Sequence, residues 1–154
     1  MTIYTISIGS GARVAGSTVS DALYNVDWSI LPEKTAFKVG FSFVSVSVNI
    51  TSYSSIALLQ VHLGDAETYR ISTVGTTYAI NTSTIGILSP HTLSTTTFLR
   101  GEASANNKVY LRIRPNNNVL KVALFTPTGG SWLDNVGAEV PSYVLVLTFE
   151  TVDN

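Results

Sequence analysis

The stretch 28–50 contains the longest strand signal of the chain: from Phe37 to Ile50 apolar side chains fall at every second position, and partway along the alternation changes phase. Phe37, Val39, Phe41 and Phe43 alternate with Lys38, Gly40 and Ser42; Val44, Val46, Val48 and Ile50 then alternate with Ser45, Ser47 and Asn49. Successive side chains of a strand point to opposite faces. A slip of one residue at Phe43-Val44 keeps both apolar sets on one side only if the strand bends or carries a bulge there. A long bent strand of this kind is expected to cross from one sheet to the next at the corner of an all-β sandwich.

The remaining chain reads as further strands separated by turns. Tyr4, Ile6 and Ile8 open it and stop at Gly9-Ser10-Gly11, where no helical periodicity follows to make a phosphate-binding loop. Ala22, Tyr24, Val26 and Trp28 give a second strand, with Trp28 as its core anchor. Residues 56–63 form a dense apolar run suited to a strand covered on both faces, and residues 68–74 a shorter one. Residues 76–93 fit either a long loop or a short edge strand, because Ser89-Pro90 interrupts whatever precedes it. After a strand at 95–100, residues 109–125 predict a hairpin turning at Pro115-Asn116-Asn117-Asn118, with Val109, Leu111 and Ile113 facing Leu124, Val122 and Leu120. The last strand, 143–151, is apolar on both faces and is expected to be central. Eight or nine strands in a single domain spanning 1–154 predict a two-sheet antiparallel sandwich, a single jelly roll, with an immunoglobulin-like arrangement as the alternative.

Composition bears on function chiefly through charge. Only 12% of the 154 residues are charged and the net charge is -1, against about 25% charged residues in an ordinary soluble domain. So little charge does not oppose self-association, and it points to a surface covered by other subunits. The alternative is that Ser and Thr, about a quarter of the chain, solvate it instead. The absence of cysteine excludes disulfides, thiolate metal sites and thiol nucleophiles. No stretch reaches the roughly 18 apolar residues of a spanning helix, and the first residues lack the pattern of a secretory leader, so the chain reads as soluble.

Catalysis is not expected. The two histidines, His62 and His91, lie in an apolar strand and a loop respectively, and Asp21, Asp27, Asp134 and Glu139 are too scattered to nominate an acid–base pair. A metal site from His62, Asp65 and Glu67 has no spacing that would make the side chains converge, so neither metal nor cofactor is expected. Within the expected hairpin, Arg112 falls opposite Lys121 with Arg114 beside them and Tyr110 and Phe125 on the same face. Tyr110, Arg112, Arg114, Lys121 and Phe125 are therefore the candidate subunit interface, suited to an acidic patch on a neighbour. Basic and aromatic residues together also suit nucleic acid, but the overall charge lacks the basic excess of such proteins. A lectin-like module is the competing binding reading, with Tyr53, Trp132, Asp134 and Asn135 as the loop residues that would hold a sugar.

One resemblance covers the first third. The pattern Tyr4-x-Ile6-x-Ile8-x-Ser10, Arg13, Gly16-Ser17, Ala22-x-Tyr24-x-Val26-Asp27-Trp28, Leu31-Pro32 and Phe37-Lys38-Val39-x-Phe41-Ser42-Phe43 resembles small single-jelly-roll capsid-associated proteins. These belong to large double-stranded DNA viruses of algae and protists and to their smaller relatives; Asp27 stands where the pattern has Asn before the Trp. The resemblance implies a virion structural protein, a minor capsid, vertex or cement component made in the host cell interior. Its implied partners are other capsid proteins and copies of itself. It brings no catalytic or ligand residues with it.

Overall fold

A computed structural model describes residues 1–49, 51–65, 68–69, 84–104, 108–128 and 130–152. Eleven strands occur among them: β1 (Ile3–Gly9), β2 (Asp21–Asn25), β3 (Phe37–Ser45), β4 (Val48–Asn49), β5 (Ala57–Leu63), β6 (Thr68–Tyr69), β7 (Thr84–Leu93), β8 (Thr96–Glu102), β9 (Val109–Leu111), β10 (Val119–Phe125) and β11 (Tyr143–Thr151). Two short 3-10 turns, Ser10–Ala12 and Trp28–Ile30, complete the regular structure. Most of the strand expected at 68–74, and the first part of the segment 76–93, lie outside the described residues.

Every ladder among the described residues is antiparallel. The eight strands of five or more residues join in one continuous order, β1-β11-β3-β8-β7-β5-β10-β2. They pair from the outside of the chain inwards: β1 with β11, β2 with β10, β3 with β8, and β5 with β7. The result is an all-β, strongly curled antiparallel sheet, a half-barrel. Its curl is visible in contacts between strands that do not pair. The hydroxyls of Tyr24 on β2 and Tyr143 on β11 are 2.6 Å apart, and a Cβ on Gly86 of β7 would run into the ring of Phe41 on β3.

Inside the curl lies one cluster of buried side chains drawn from nearly every strand. Trp28, Phe37 and Phe149 meet edge to face there with ring centroids 6.1 Å apart, a geometry that aromatic quadrupoles favour. Trp28 is a core anchor as expected, but β2 ends at Asn25 and the indole is delivered by the 3-10 turn. Asp27 caps that turn by accepting the Ser29 N–H, and the indole N–H donates to the Asn117 carbonyl at 2.7 Å. The first bond caps the exposed end of the turn, and the second satisfies an indole N–H that would otherwise be costly to bury.

Three sequence-based expectations are corrected. The change of phase is not a bulge at Phe43-Val44 itself; the irregularity lies just beyond, where Val44 pairs with Arg100 but Val48 with Thr97, one extra residue on the β3–β4 side of the β8 ladder. β3 pairs with β11 in unbroken register from Phe37 to Ser45, its core face continues through Phe43 to the buried Ser45, and Val44 and Val46 face outward. Ser45 takes a core position because its hydroxyl accepts the backbone N–H of Leu99. Nor does Ser89-Pro90 break a strand: β7 runs through it, pairing with β5 up to Leu88 and with β8 from Ser89 onward. Proline lies where the strand changes partner.

The third correction concerns 109–125, which is not a hairpin. β9 pairs with β3 and β6, whereas β10 lies between β2 and β5. Alternation had identified the inward residues Val109, Leu111, Leu120, Val122 and Leu124, all of them buried, but Ile113 is exposed. β11 is central, flanked by β1 and β3, although its outward Val144 is uncovered.

Candidate interaction surfaces

The separation of β9 from β10 disperses the basic cluster. Tyr110 lies on β9 opposite Lys38 of β3 and Tyr69 of β6, and Arg112 is exposed just beyond that strand. Arg114 turns inward: its guanidinium donates to the Leu31 carbonyl at 2.7 Å and to the Glu33 carboxylate at 2.8 Å. It fastens the segment after Trp28 to the loop before β10. That loop is held from its other side by Asp65, whose carboxylate accepts the backbone N–H groups of Asn116 and Asn117 and is thereby kept below the usual carboxylate range. Lys121 sits on β10 across from His62 of β5 and forms a 3.4 Å ion pair with Asp21. Phe125 is half-buried at the end of β10, opposite Leu58. The five residues do not form one patch, and the expected Arg112–Lys121 opposition does not occur.

The histidines are likewise apart. His62 is exposed on the outer face, where partial burial of the ring and then the Lys121 ammonium hold its pKa below the ordinary value. His91 stacks on Phe98 across the β7–β8 ladder, centroids 5.8 Å apart. Asp21, Asp27 and Asp134 are occupied with Lys121, Ser29 and a local turn respectively. Among the described residues no three His, Asp or Glu side chains gather in a way that could hold a metal; Glu67 lies outside them. No helix among them is long and apolar enough to cross a membrane.

The residues nominated for sugar binding perform another task. Tyr53 and Trp132 are 3% and 0% exposed and pack edge to face at 5.3 Å, so neither offers a ring face to a ligand. Burial, followed by the nearby Asp134 carboxylate, raises the Tyr53 pKa. Asn135 ties the two loops together: its amide donates to the Thr51 carbonyl at 2.6 Å, its side-chain oxygen accepts from Ser54, and its own N–H reaches Ser52. Asp134 closes its turn by accepting the N–H groups of Val136 and Ala138.

What sequence reasoning missed is the outward apolar character of the central strands. Val44 and Val144, directly opposite each other on β3 and β11, are 43% and 53% exposed. Val46 continues this side of the sheet, while Ile87 is exposed on β7. The signal was present in the change of phase, which marks apolar residues on the outer face. No protein-family model matches the chain, and no curated protein matches it in sequence.

Proposed function

We propose that this chain is a virion structural protein, a minor capsid, vertex or cement component that packs against a capsid lattice and catalyses no reaction. The observation that carries the reading is the outward valine pair, Val44 and Val144, on a chain of which only 12% of residues are charged, with Arg100 of β8 beside Val44. A half-exposed apolar ladder in the middle of a sheet suits a face that neighbours cover. We also read the curled sheet as a single jelly roll wrapped around its core. Support comes from the outside-in pairing of the eight long strands, which is a ribbon of four strand pairs rolled up, and jelly rolls recur among capsid proteins. Fold alone does not assign function; the exposed outward valines support the reading independently.

On this reading the partners are other capsid proteins and copies of the chain, and the protein resides in the particle after synthesis in the host cell interior. Tyr110 and Arg112 remain candidate contact residues, whereas Arg114 has an internal structural task. Quantitative mass spectrometry of gradient-purified virus particles tests the proposal. A fixed copy number relative to the principal shell protein is expected; absence from purified particles in infections that express the chain overturns it.

A further inference from the structure

The curled sheet has two ends, and they are finished differently. At β2 the outer edge is occupied: Leu23 O accepts the Val14 N–H at 2.7 Å, Asp21 O accepts the Thr18 N–H, and the Thr18 hydroxyl accepts the Asp21 N–H. At β1 no described segment pairs with the outer edge. Which groups this leaves open follows from the first ladder. Thr2 directs both N–H and C=O at Thr151 of β11, and since backbone groups alternate along a strand, Tyr4, Ile6 and Ile8 also face β11. The N–H and C=O groups of Ile3, Thr5, Ser7 and Gly9 therefore point away from the sheet.

Natural edges are blunted by charge, proline or a bulge. β1 has none of these: its sequence is Ile-Tyr-Thr-Ile-Ser-Ile-Gly, and its register with β11 is unbroken from Ile3 to Gly9. Beside it runs an open groove of about 400 Å³, bounded by residues 5–9 on one side and by Ala12, Val26, Asp27 and Ile30 on the other. Tyr4 and Ile6 are on the core side of β1 yet only half-buried, and Ile3 is 55% exposed.

We propose that the free edge of β1 pairs with β1 of a second copy, antiparallel about a two-fold axis through Ile6. The strand is its own complement in that register. Thr5 faces Ser7 of the second copy, Tyr4 faces Ile8, and Ile6 faces Ile6; no charge opposes another charge. Ile3 faces Gly9 of the second copy, where a side chain would meet open space. All four outward N–H groups and all four outward C=O groups of each copy gain partners, and the half-buried Tyr4 and Ile6 are covered. Such a contact is isologous and closes at two copies. One strand edge is smaller than the roughly 800 Å² per partner of a standard interface, so the dimer is reversible and concentration-dependent. The pairing requires only the edge and its groove, whatever larger assembly the chain joins.

Sedimentation velocity over roughly 1 µM to 1 mM tests the pairing. The wild-type chain is expected to shift from monomer toward dimer across that range. Ser7→Pro removes an outward N–H and leaves the β11 ladder through Tyr4, Ile6 and Ile8 intact, as proline permits on an edge strand; it should remain monomeric with an unchanged circular dichroism spectrum. Two double variants, Thr5→Lys with Ser7→Lys and Thr5→Glu with Ser7→Glu, test the register without proline. Each is expected to be monomeric alone and to form a one-to-one pair when mixed. A wild-type chain that stays monomeric throughout, as it would if the groove received an extended segment of another protein, overturns the proposal. So does Ser7→Pro dimerising like wild type, or a mixture of the charged variants that fails to associate.

Discussion

The contact between Tyr24 and Tyr143 offers a direct measurement of the curl, because these residues belong to strands that never pair. Their hydroxyls share a 2.6 Å hydrogen bond inside the core, and Tyr143 also stacks on Phe43 with centroids 4.9 Å apart. Replacing either tyrosine by phenylalanine keeps the ring packing and leaves the other hydroxyl buried without this partner. An unsatisfied buried hydroxyl costs about 1–3 kcal/mol, whereas removing both partners together is far less costly. Tyr24→Phe and Tyr143→Phe should each destabilise by about 1–2 kcal/mol, and the double variant by no more than the larger single, a coupling of about 1 kcal/mol or more. Urea denaturation of the four proteins, followed by tryptophan fluorescence, reads this directly. Effects that add to within about 0.3 kcal/mol would mean that β2 and β11 do not face each other, and the curled geometry would be wrong.

The same pair sets an alkaline limit. Burial, its largest cause, raises the pKa of both tyrosines, with the Tyr24 hydrogen bond raising Tyr143 further. A group whose folded pKa is raised contributes stability that is complete below its unfolded pKa and declines above it. The contribution of these two tyrosines should therefore be constant to about pH 10 and then fall by up to about 1.4 kcal/mol per pH unit per tyrosine, and the double phenylalanine variant should remove their share of that fall, leaving the share of the buried Tyr53. Gly86→Ala forces a methyl group into the Phe41 ring and should cost about 1–3 kcal/mol in chemical denaturation, with Phe41→Leu in the same chain restoring part of the loss. Arg114→Ser, which releases the Leu31 carbonyl and Glu33, should cost about 1–2 kcal/mol. Arg112→Ser, on an exposed residue, should change stability by less than about 0.5 kcal/mol, and equal losses in thermal denaturation would refute the distinction.

Alternation in the sequence revealed faces better than partners. β1, β5 and β11 were legible because each carries a regular apolar series within one strand, and the buried Leu120, Val122 and Leu124 of β10 were identified on the same ground. The neighbours of β10 were not legible, since a local reading assigns Val109 to Leu111 as its partner while the chain uses the distant β2 and β5. β7 was hidden for a related reason: one strand serving two ladders changes its environment midway, and Pro90 marks the change without ending the strand. Val44 misled because an apolar residue was assumed to point inward, although burial rules do not forbid exposed valine. The grouping of the candidate interface residues dissolved with the hairpin, because β9 and β10 lie in different parts of the sheet. Asn135 and Trp132, nominated for sugar binding, instead bind their loop to the body of the molecule.

The outside-in order of pairing also governs how this polypeptide acquires its shape. Ile3 lies opposite Glu150, so the first strand waits for nearly the last before its ladder can zip. Closing loops of that span carries an entropic penalty that local contacts do not relieve, and topologies dominated by such distant pairings fold in about milliseconds to seconds. During that interval β3 and β11 are bare, sticky ribbons, and newly made chains would be vulnerable to mispairing in a crowded cell.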